Sequence, residues 1–203
     1  MILENFNYIT SGCEGDVYVD NAHKRVIKLL YEDFSQENFI YLLNIYRRCQ
    51  YIHGVIKLVN DIKYKNIHRK HLLFDYIEGP SLAKICVKRS LSLFEALSVM
   101  SKIINVIVEV HQEDIVHGDI HAENVMLSNG NITLIDFYAF RKQKTDDLVD
   151  ICKLFYEIKW DVELIPKEVK ALFPKRKDAI LRRYTTTKDL QNKMRLLFRS
   201  FHV

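Results

Sequence analysis

The sequence contains few cysteines, and they show no pairing pattern. Cys13, Cys49, Cys86 and Cys152 are scattered over the 203 residues, and none belongs to a Cys-x-x-Cys motif. This spacing argues against a zinc site built from cysteines and favours reduced thiols. The first residues also lack the basic and then apolar pattern of a secretion signal. We therefore expect a cytoplasmic protein.

Long apolar runs are missing as well. The most apolar stretch, residues 103–110, is interrupted by Asn105 and Glu109. It is too short to cross a bilayer, which takes about 20 apolar residues. The composition, with 48% hydrophobic, 11% aromatic and 28% charged residues, is ordinary for a globular protein. We expect a soluble chain that folds as one domain or as two small lobes.

Three polar residues stand out in the otherwise apolar stretch of residues 115–140. Between Asn124 and Ile135, two short apolar runs flank a Ser-Asn-Gly-Asn turn, a pattern that predicts a β-hairpin. The hairpin would bring Asn124, just before its first strand, close to Asp136, just after its second. With Asp119, these residues offer carboxylate and amide oxygens, which suit Mg²⁺, a hard cation that also holds substrate phosphates.

The order of these residues resembles the catalytic loop of protein kinases. His117-Gly-Asp119 is followed by four residues and Asn124, and Asp136-Phe137 begins twelve residues after Asn124. Protein kinases carry a His-Arg-Asp motif and an Asp-Phe-Gly element in this order. The resemblance implies that Asp119 accepts the proton of the attacking hydroxyl and that Asn124 and Asp136 hold magnesium at the phosphates of ATP. The alternative is a surface hairpin whose polar residues only cap turns.

The resemblance has departures that bear on regulation. Gly118 stands where many protein kinases carry an arginine that responds to activation-loop phosphorylation, and Tyr138 replaces the glycine after the Asp-Phe pair. His121 stands where Ser/Thr kinases carry lysine. The motif His-Gly-Asp-x-His also occurs in aminoglycoside and choline kinases. Only a few residues separate Phe137 from a helical pattern that opens at Thr145. We therefore expect no activation segment and no control through its phosphorylation.

A glycine pair near the N-terminus indicates a phosphate-binding turn. Gly12 and Gly15 lie between two β-rich runs, and when aligned on Val17 they match the last two glycines of the kinase glycine-rich loop. Glycines let backbone N–H groups approach phosphates closely, although a plain turn is the alternative. A third run, Arg25–Leu30, sets Lys28 among apolar residues. The resemblance makes Lys28 the lysine that contacts the α- and β-phosphates, and an outward-facing lysine of an edge strand is the alternative.

A helical pattern capped by Ser35 follows the third run. Glu37 lies in its first turn, and we expect it to pair with Lys28 as the helix glutamate of kinases does. Glu32 is also nearby, and Glu37 could instead only favour the helix dipole.

Two further β patterns, residues 54–60 and 71–80, would complete a small antiparallel sheet. The resemblance places the hinge that contacts adenine at residues 75–78. The nucleotide contacts it implies are Gly12, Gly15, Val17, Val26, Lys28, Glu37, Asp75, Ile77 and Met126.

From Ser81 onward the pattern is helical, with a broad apolar face within residues 93–110. We expect an α+β, two-lobed protein-kinase-like fold. Its small antiparallel sheet would lie in an N-lobe of residues 1–79, and its C-lobe, residues 80–203, would be mostly helical. Asp150 matches the helix aspartate that fixes the catalytic-loop backbone in kinases, and a plain surface aspartate is the alternative.

The C-terminal part differs from the rest in charge. Residues 167–203 contain 11 Lys and Arg and 3 Asp and Glu, a net charge of +8, whereas the whole chain has +4 and residues 1–166 therefore −4. An asymmetry of this kind indicates an acidic protein or polyanion as partner. A solvated helix face is the alternative.

The resemblance implies an ATP- and Mg²⁺-dependent phosphotransferase, most simply a minimal Ser/Thr protein kinase that acts on a protein substrate. In size, in the missing activation segment and in the His-Gly-Asp loop, the chain is similar to the RIO and KEOPS kinases and to compact bacterial effector kinases such as OspG. An effector would be secreted into a host cell and act on host proteins. A small-molecule kinase of the aminoglycoside or choline type and a pseudokinase-like binding module are the alternatives.

Overall fold

A computed structural model describes residues 6–20, 22, 24–59, 67–140, 142–158 and 165–200. The contacts within the chain divide it into two compact units. Unit 1 comprises Met1–Tyr51 and Ile56–Glu78, and unit 2 comprises Ile52–Val55 and Gly79–Val203. Residues 52–55 and Gly79 therefore belong to unit 2. The N-lobe predicted from the sequence, residues 1–79, included all of them.

Unit 1 contains a four-stranded antiparallel sheet and one long helix. Its elements are β1 (Asn7–Ser11), β2 (Gly15–Asp20), β3 (Arg25–Leu30), α1 (Gln36–Arg48) and β4 (His71–Asp75), and the strand order is β1-β2-β3-β4. The hydroxyl of Ser35 caps α1 by accepting a hydrogen bond from the Asn38 N–H at 3.0 Å. The three predicted N-terminal runs and the capped helix are confirmed.

The strand predicted at residues 54–60 is confirmed only in part: Val59 N–H donates to the Leu73 carbonyl at 2.7 Å and Asp75 N–H to the Lys57 carbonyl at 3.4 Å, beside β4. Over residues 54–59, only Val55 and Leu58 form isolated β-bridges, and Asn60 lies outside the described residues. Gly54 has a φ of 85°, which takes the backbone out of the extended region at the start of the segment. The left-handed glycine thus excludes position 54 from an extended strand, and the pairing with β4 is limited to residues 57–59.

Unit 2 is mostly helical and contains one hairpin. Its elements are α2 (Leu82–Lys88), α3 (Leu93–Gln112), β5 (Val125–Ser128), β6 (Asn131–Leu134), α4 (Lys144–Glu157), α5 (Lys167–Leu172), α6 (Lys177–Arg183) and α7 (Thr187–Ser200). Helix α3 is the centre of its core, since it packs against α4, α7 and β6 and buries apolar side chains along its whole length. A Ser92–Glu95 capping box fixes the start of α3.

The predicted hairpin is confirmed, and its turn explains its register. Strands β5 and β6 pair antiparallel from Val125 opposite Leu134 to Ser128 opposite Asn131. The two residues between the strands, Asn129 and Gly130, have φ values of 50° and 76°. Positive φ at both positions is the geometry of a type I′ turn, whose twist matches that of the strands.

Among the described residues, no helix has both the length and the apolar character that crossing a membrane requires. The four cysteines are free thiols, of which Cys13 is exposed and the other three are buried.

Candidate active site

The β5–β6 hairpin of unit 2 places Asn124 and Asp136 at the end opposite its turn. The Ile135 N–H donates to the Asn124 carbonyl at 3.0 Å. This hydrogen bond holds Ile135, the residue before Asp136, beside Asn124. Asp136 has a φ of 61°, in the left-handed region that residues other than glycine rarely adopt. Backbone strain of this kind concentrates at functional sites, where the surrounding structure enforces it.

Asn124 also holds Asp119. Its Nδ2 donates to the Asp119 carbonyl at 3.0 Å and to Asp119 Oδ2 at 3.1 Å. Asn124 is buried, whereas 48% of the Asp119 side chain is exposed. Because the amide nitrogen serves Asp119, Oδ1 is the atom that Asn124 offers to a cation. The Asp119 carboxylate is thus fixed by Asn124 and open to solvent.

His117 joins the catalytic loop to the residue before Asp136. Its buried ring lies with Nε2 at 3.0 Å from the Ile135 carbonyl and accepts the Asp119 N–H at Nδ1 over 3.3 Å. Burial lowers the pKa of His117, and the Asp147, Asp136 and Asp119 carboxylates oppose this only in part. A neutral ring with hydrogen on Nε2 satisfies both contacts. The ring also packs on Phe137 at 4.5 Å between centroids.

Asp147, and not Asp150, fixes the backbone of the catalytic loop. Its buried carboxylate accepts the N–H groups of His117 at 2.8 Å and Gly118 at 2.7 Å. It also lies 2.8 Å from Nε2 of His111, whose Nδ1 is 3.0 Å from the Thr187 hydroxyl.

The expectation for Asp150 is wrong, because Asp150 lies one helical turn further along α4. It pairs with Lys153 at 3.3 Å, and burial raises its pKa. The Asp150 carboxylate thus pairs with Lys153, whereas the N–H groups of His117 and Gly118 donate to Asp147.

His121 and Asp119 form a pair beside the catalytic loop. His121 Nε2 lies 3.4 Å from Asp119 Oδ2. Through this hydrogen bond His121 lowers the pKa of Asp119, and Asp119 raises the pKa of His121. Asp119 is thus held in its ionised form, as a proton acceptor at neutral pH must be.

The segment after Phe137 packs directly on the catalytic loop. The Tyr138 N–H donates to the His117 carbonyl at 2.9 Å, and the Lys142 ammonium lies 5.0 Å from the centre of the Tyr138 ring. Gly118 has a φ of 80°, and a Cβ there would come within 3.0 Å of both Tyr138 Cβ and Lys142 Cγ. A side chain at the position of the usual arginine would therefore have a strained backbone and would press on both neighbours.

We expect Gly118→Ala to lower both stability and phosphoryl transfer. The left-handed backbone alone costs a non-glycine residue roughly 1–2 kcal/mol, and the two contacts add to this. Thermal unfolding and a transfer assay measure the two effects. Gly130→Ala is a matched control, because Gly130 has a φ of 76° but nothing lies within 4 Å of its added Cβ. Equal losses in both variants would show that packing on the catalytic loop has no part in the effect.

In unit 1, Val17, Val26 and Lys28 lie on one face of the sheet. Val17 is opposite Lys28, and Val26 is two residues before Lys28 on β3, so the three side chains project to the same side. Lys28 is only 8% exposed, which rules out the reading of an outward-facing edge lysine. Gly12 and Gly15 form a tight turn in which the Gly12 N–H donates to the Gly15 carbonyl at 2.9 Å.

The expected Lys28–Glu37 pair is wrong. Lys28 Nζ lies 2.7 Å from Oε2 of Glu14, which is itself only 7% exposed. Glu37 is exposed in the first turn of α1, where it can favour the helix dipole. The order of residues did not reveal Glu14, although its place between the two glycines was a signal that could have done so.

Three of the remaining predicted nucleotide contacts are placed as follows. The Asp75 carboxylate pairs with Arg25 at 2.8 Å, and Ile77 is partly buried at the end of unit 1. Met126 lies partly buried on β5 in unit 2, where it forms a bridge with Ser81. Because Asp75 is committed to Arg25, only its backbone is suited to adenine.

The residues at the hairpin end fit Mg²⁺ by the chemistry of their donors. Asp136 supplies carboxylate oxygen and Asn124 supplies amide oxygen, both hard ligands, at neighbouring backbone positions. Mg²⁺ is commonly bound by one or two such ligands together with substrate phosphates, and at kinase sites it neutralises charge on the transferred group.

Comparisons with known proteins agree with this geometry. The protein kinase domain family matches residues 11–154. Serine/threonine-protein kinase shk1/pak1 of Schizosaccharomyces pombe is 24% identical over 143 residues, which are 68% of this chain and 21% of that protein. KEOPS complex subunit Bud32 of Pyrococcus abyssi is 30% identical over 102 residues, 50% of this chain and 44% of that protein.

The structural comparison concerns the fold alone. The kinase domain of Mycobacterium tuberculosis PknI superposes with a TM-score of 0.66 over 95% of both chains, at 12% identity. The sequence matches span 21% of shk1/pak1 and 17% of serine/threonine-protein kinase ste20 of Aspergillus fumigatus, so the chain corresponds to a minor part of these relatives. The predicted α+β, protein-kinase-like fold is confirmed, and with the family match over residues 11–154 the chain belongs to the protein kinase family.

Proposed function

We propose that the chain is a minimal Ser/Thr protein kinase that transfers the γ-phosphoryl group of ATP to a hydroxyl. The observation that carries this proposal is the setting of Asp119. Its carboxylate is half exposed, is held by Asn124 and is kept ionised by His121. A fixed, ionised and accessible carboxylate is the group that orients an attacking hydroxyl and takes its proton.

Each unit contributes its own part to this chemistry. In unit 1, the Gly12–Gly15 turn and Lys28 bind nucleotide phosphates, with Val17, Val26 and the backbone of residues 75–78 as contacts of the base. In unit 2, Asn124 and Asp136 hold Mg²⁺, Met126 contacts the nucleotide, and Asp119 serves the acceptor. In this proposal residues 1–79 and 80–203 act as the two lobes of the kinase. The protein then needs ATP and Mg²⁺ for activity.

The acceptor class is the first point to test. Purified protein is incubated with Mg-ATP labelled in the γ-phosphoryl group and with three acceptor sets: Ser/Thr-containing proteins, Tyr-containing peptides, and small alcohols including aminoglycosides and choline. We expect label on serine or threonine. Label on a small alcohol would favour the alternative suggested by His121, and no label on any acceptor would favour a binding module.

The similarity to compact bacterial effector kinases extends the proposal to host proteins as substrates. Extracts of eukaryotic cells, treated with an inhibitor of their own kinases, provide the acceptors for this arm of the experiment. Label that enters bacterial proteins as readily as eukaryotic ones would contradict an effector role.

We further propose that an acidic protein or polyanion binds the basic C-terminal region. Several of its cations are already engaged within the chain, since Arg176 and Arg182 share Asp178 and Lys175 lies over the Tyr156 ring. The net charge of +8 over residues 167–203 nevertheless leaves an excess of cations. Exposed charges of this kind attract polyanions in a salt-dependent manner.

Neutralising Lys175, Arg176, Lys177, Arg182 and Arg183 should abolish stimulation of phosphoryl transfer by a polyanion and should remove the salt dependence of binding. The probes are inositol hexakisphosphate, RNA and an acidic protein, each at two ionic strengths. A variant with Lys84 and Lys88 of α2 neutralised is the control, because both are exposed outside the region. Equal binding by all three proteins would leave the basic region as solvated surface.

A further inference from the structure

Lys28 and Glu14 form a buried ion pair within unit 1. Their charged atoms lie 2.7 Å apart, and both residues are more than nine-tenths buried. Removing one charge of a buried ion pair is strongly unfavourable. The position and charge of Lys28 therefore depend in part on Glu14.

The backbone of the glycine turn holds Glu14 in place. The Gly12 N–H donates to the Gly15 carbonyl at 2.9 Å, so Glu14 sits inside a closed turn. Tyr31 ties this turn from the end of β3, because its N–H donates to the Glu14 carbonyl at 3.0 Å and its hydroxyl donates to the Gly12 carbonyl at 3.1 Å. A Cβ at Gly15 would collide with the Leu29 carbonyl, so the turn also packs tightly on β3.

The second oxygen of Glu14 is available for a further hydrogen bond. Among the described residues, Oε1 of Glu14 is buried and has no hydrogen-bond partner. A buried acceptor without a partner costs about 1–3 kcal/mol, so it is rarely found without a reason. A water molecule or a hydroxyl can donate to this oxygen, whereas an ionised phosphate has no hydrogen to donate, so the phosphates are contacted by Lys28 and not by Glu14.

An ammonium group donates up to three hydrogen bonds, so a lysine that serves a carboxylate can serve phosphate oxygens as well. The carboxylate restricts the direction of the lysine side chain, and this lowers the entropy lost when phosphate binds. Helix α1 does not supply this carboxylate, because Glu37 is exposed.

We propose that Glu14 is the residue that positions Lys28 for the nucleotide phosphates. The glycine turn then provides both the backbone of the phosphate site and the carboxylate that orients its lysine. Glu14 is a positioning residue, since it acts through Lys28. This inference rests on the proposed function, because it assigns Lys28 to phosphate binding.

Steady-state kinetics with Glu14→Gln test the role. We expect kcat to fall roughly 10- to 100-fold, the loss typical of a misplaced catalytic group, with a smaller change in KM for ATP. Glu14→Asp, which keeps the charge on a shorter side chain, should recover part of the loss. Glu37→Gln is the matched control and should retain wild-type kinetics.

Two kinetic results would overturn the inference. The first is wild-type kcat in Glu14→Gln. The second is a lower KM for ATP together with a higher kcat, which would show that the carboxylate competes with phosphate and blocks the site.

Urea unfolding of Glu14→Gln, Lys28→Met and the double variant tests the ion pair without any assay of activity. We expect each single variant to have a lower free energy of unfolding than the wild type. The loss in the double variant should be smaller than the sum of the two single losses. Additive losses would mean that the two side chains do not interact. If the wild type transfers no phosphoryl group but the stability losses are not additive, the proposed function is refuted and the Glu14–Lys28 ion pair is supported. If the wild type transfers the phosphoryl group and the losses are additive, only the ion pair is refuted.

Discussion

Asp136→Asn will lower phosphoryl transfer by roughly 100- to 1000-fold or more while the fold stays intact. Asparagine removes the negative charge through which Asp136 is proposed to hold Mg²⁺, and loss of one such stabilising group costs this much in rate. Asparagine also tolerates the left-handed backbone at φ 61°, so strain is not added. Transfer of labelled phosphoryl and thermal unfolding measure the two quantities in the same preparation.

Asp114→Asn is the matched control for this prediction. Asp114 also has a left-handed backbone, with a φ of 53°, but its carboxylate lies at the surface and pairs with Lys144 at 2.7 Å. We expect wild-type transfer from this variant. Wild-type activity in Asp136→Asn as well would refute the role assigned to Asp136.

Asp147→Asn will destabilise the protein by roughly 3–5 kcal/mol and will lower transfer in the fraction that remains folded. The fully buried carboxylate accepts hydrogen bonds from two backbone N–H groups of the catalytic loop and contacts His111. An amide in its place turns an NH₂ group toward one of these donors. Urea unfolding gives the stability difference. The transfer assay gives the effect on Asp119, which lies two residues after His117.

Asp150→Asn should behave differently and serves as the control for Asp147. Asp150 pairs with the exposed Lys153 at 3.3 Å, and burial raises its pKa, so the fold does not favour its charged form. We expect a stability change within about 1 kcal/mol, the range of single exposed ion pairs. The reverse ranking of the two variants would restore Asp150 as the anchor of the catalytic loop.

Local periodicity made much of the fold predictable. The Asn129-Gly130 turn between two apolar runs predicted the hairpin, and through it the neighbourhood of Asn124 and Asp136, because a two-residue turn fixes the register of both strands. Ser35 likewise predicted the start of α1. These features depend on residues that are close in sequence.

Partners that are distant in sequence were harder to predict. The carboxylate that pairs with Lys28 belongs to Glu14, fourteen residues earlier, because a bend in the glycine turn decides which glutamate reaches it. Helix position would have separated Asp147 from Asp150. Asp147 lies on the buried stripe of α4 with Ile151 and Leu154, where a charged side chain needs a specific partner.

The structure explains why position 118 is occupied by glycine. The missing arginine was visible in the sequence, but the space taken by Tyr138 and Lys142 was not. The short segment after Phe137 therefore packs on the catalytic loop without any phosphate to order it.

The Asp119 centre is proposed to catalyse ATP-dependent transfer of a phosphoryl group to a hydroxyl. The most direct measurement follows label from the γ-phosphoryl of ATP into an acid-stable phosphoester on serine or threonine, with Mg²⁺ present and with Mg²⁺ chelated. We expect label in the first sample and none in the second. Label that persists without a divalent cation, or wild-type protein that gives no phosphoester with any acceptor, would contradict this proposal.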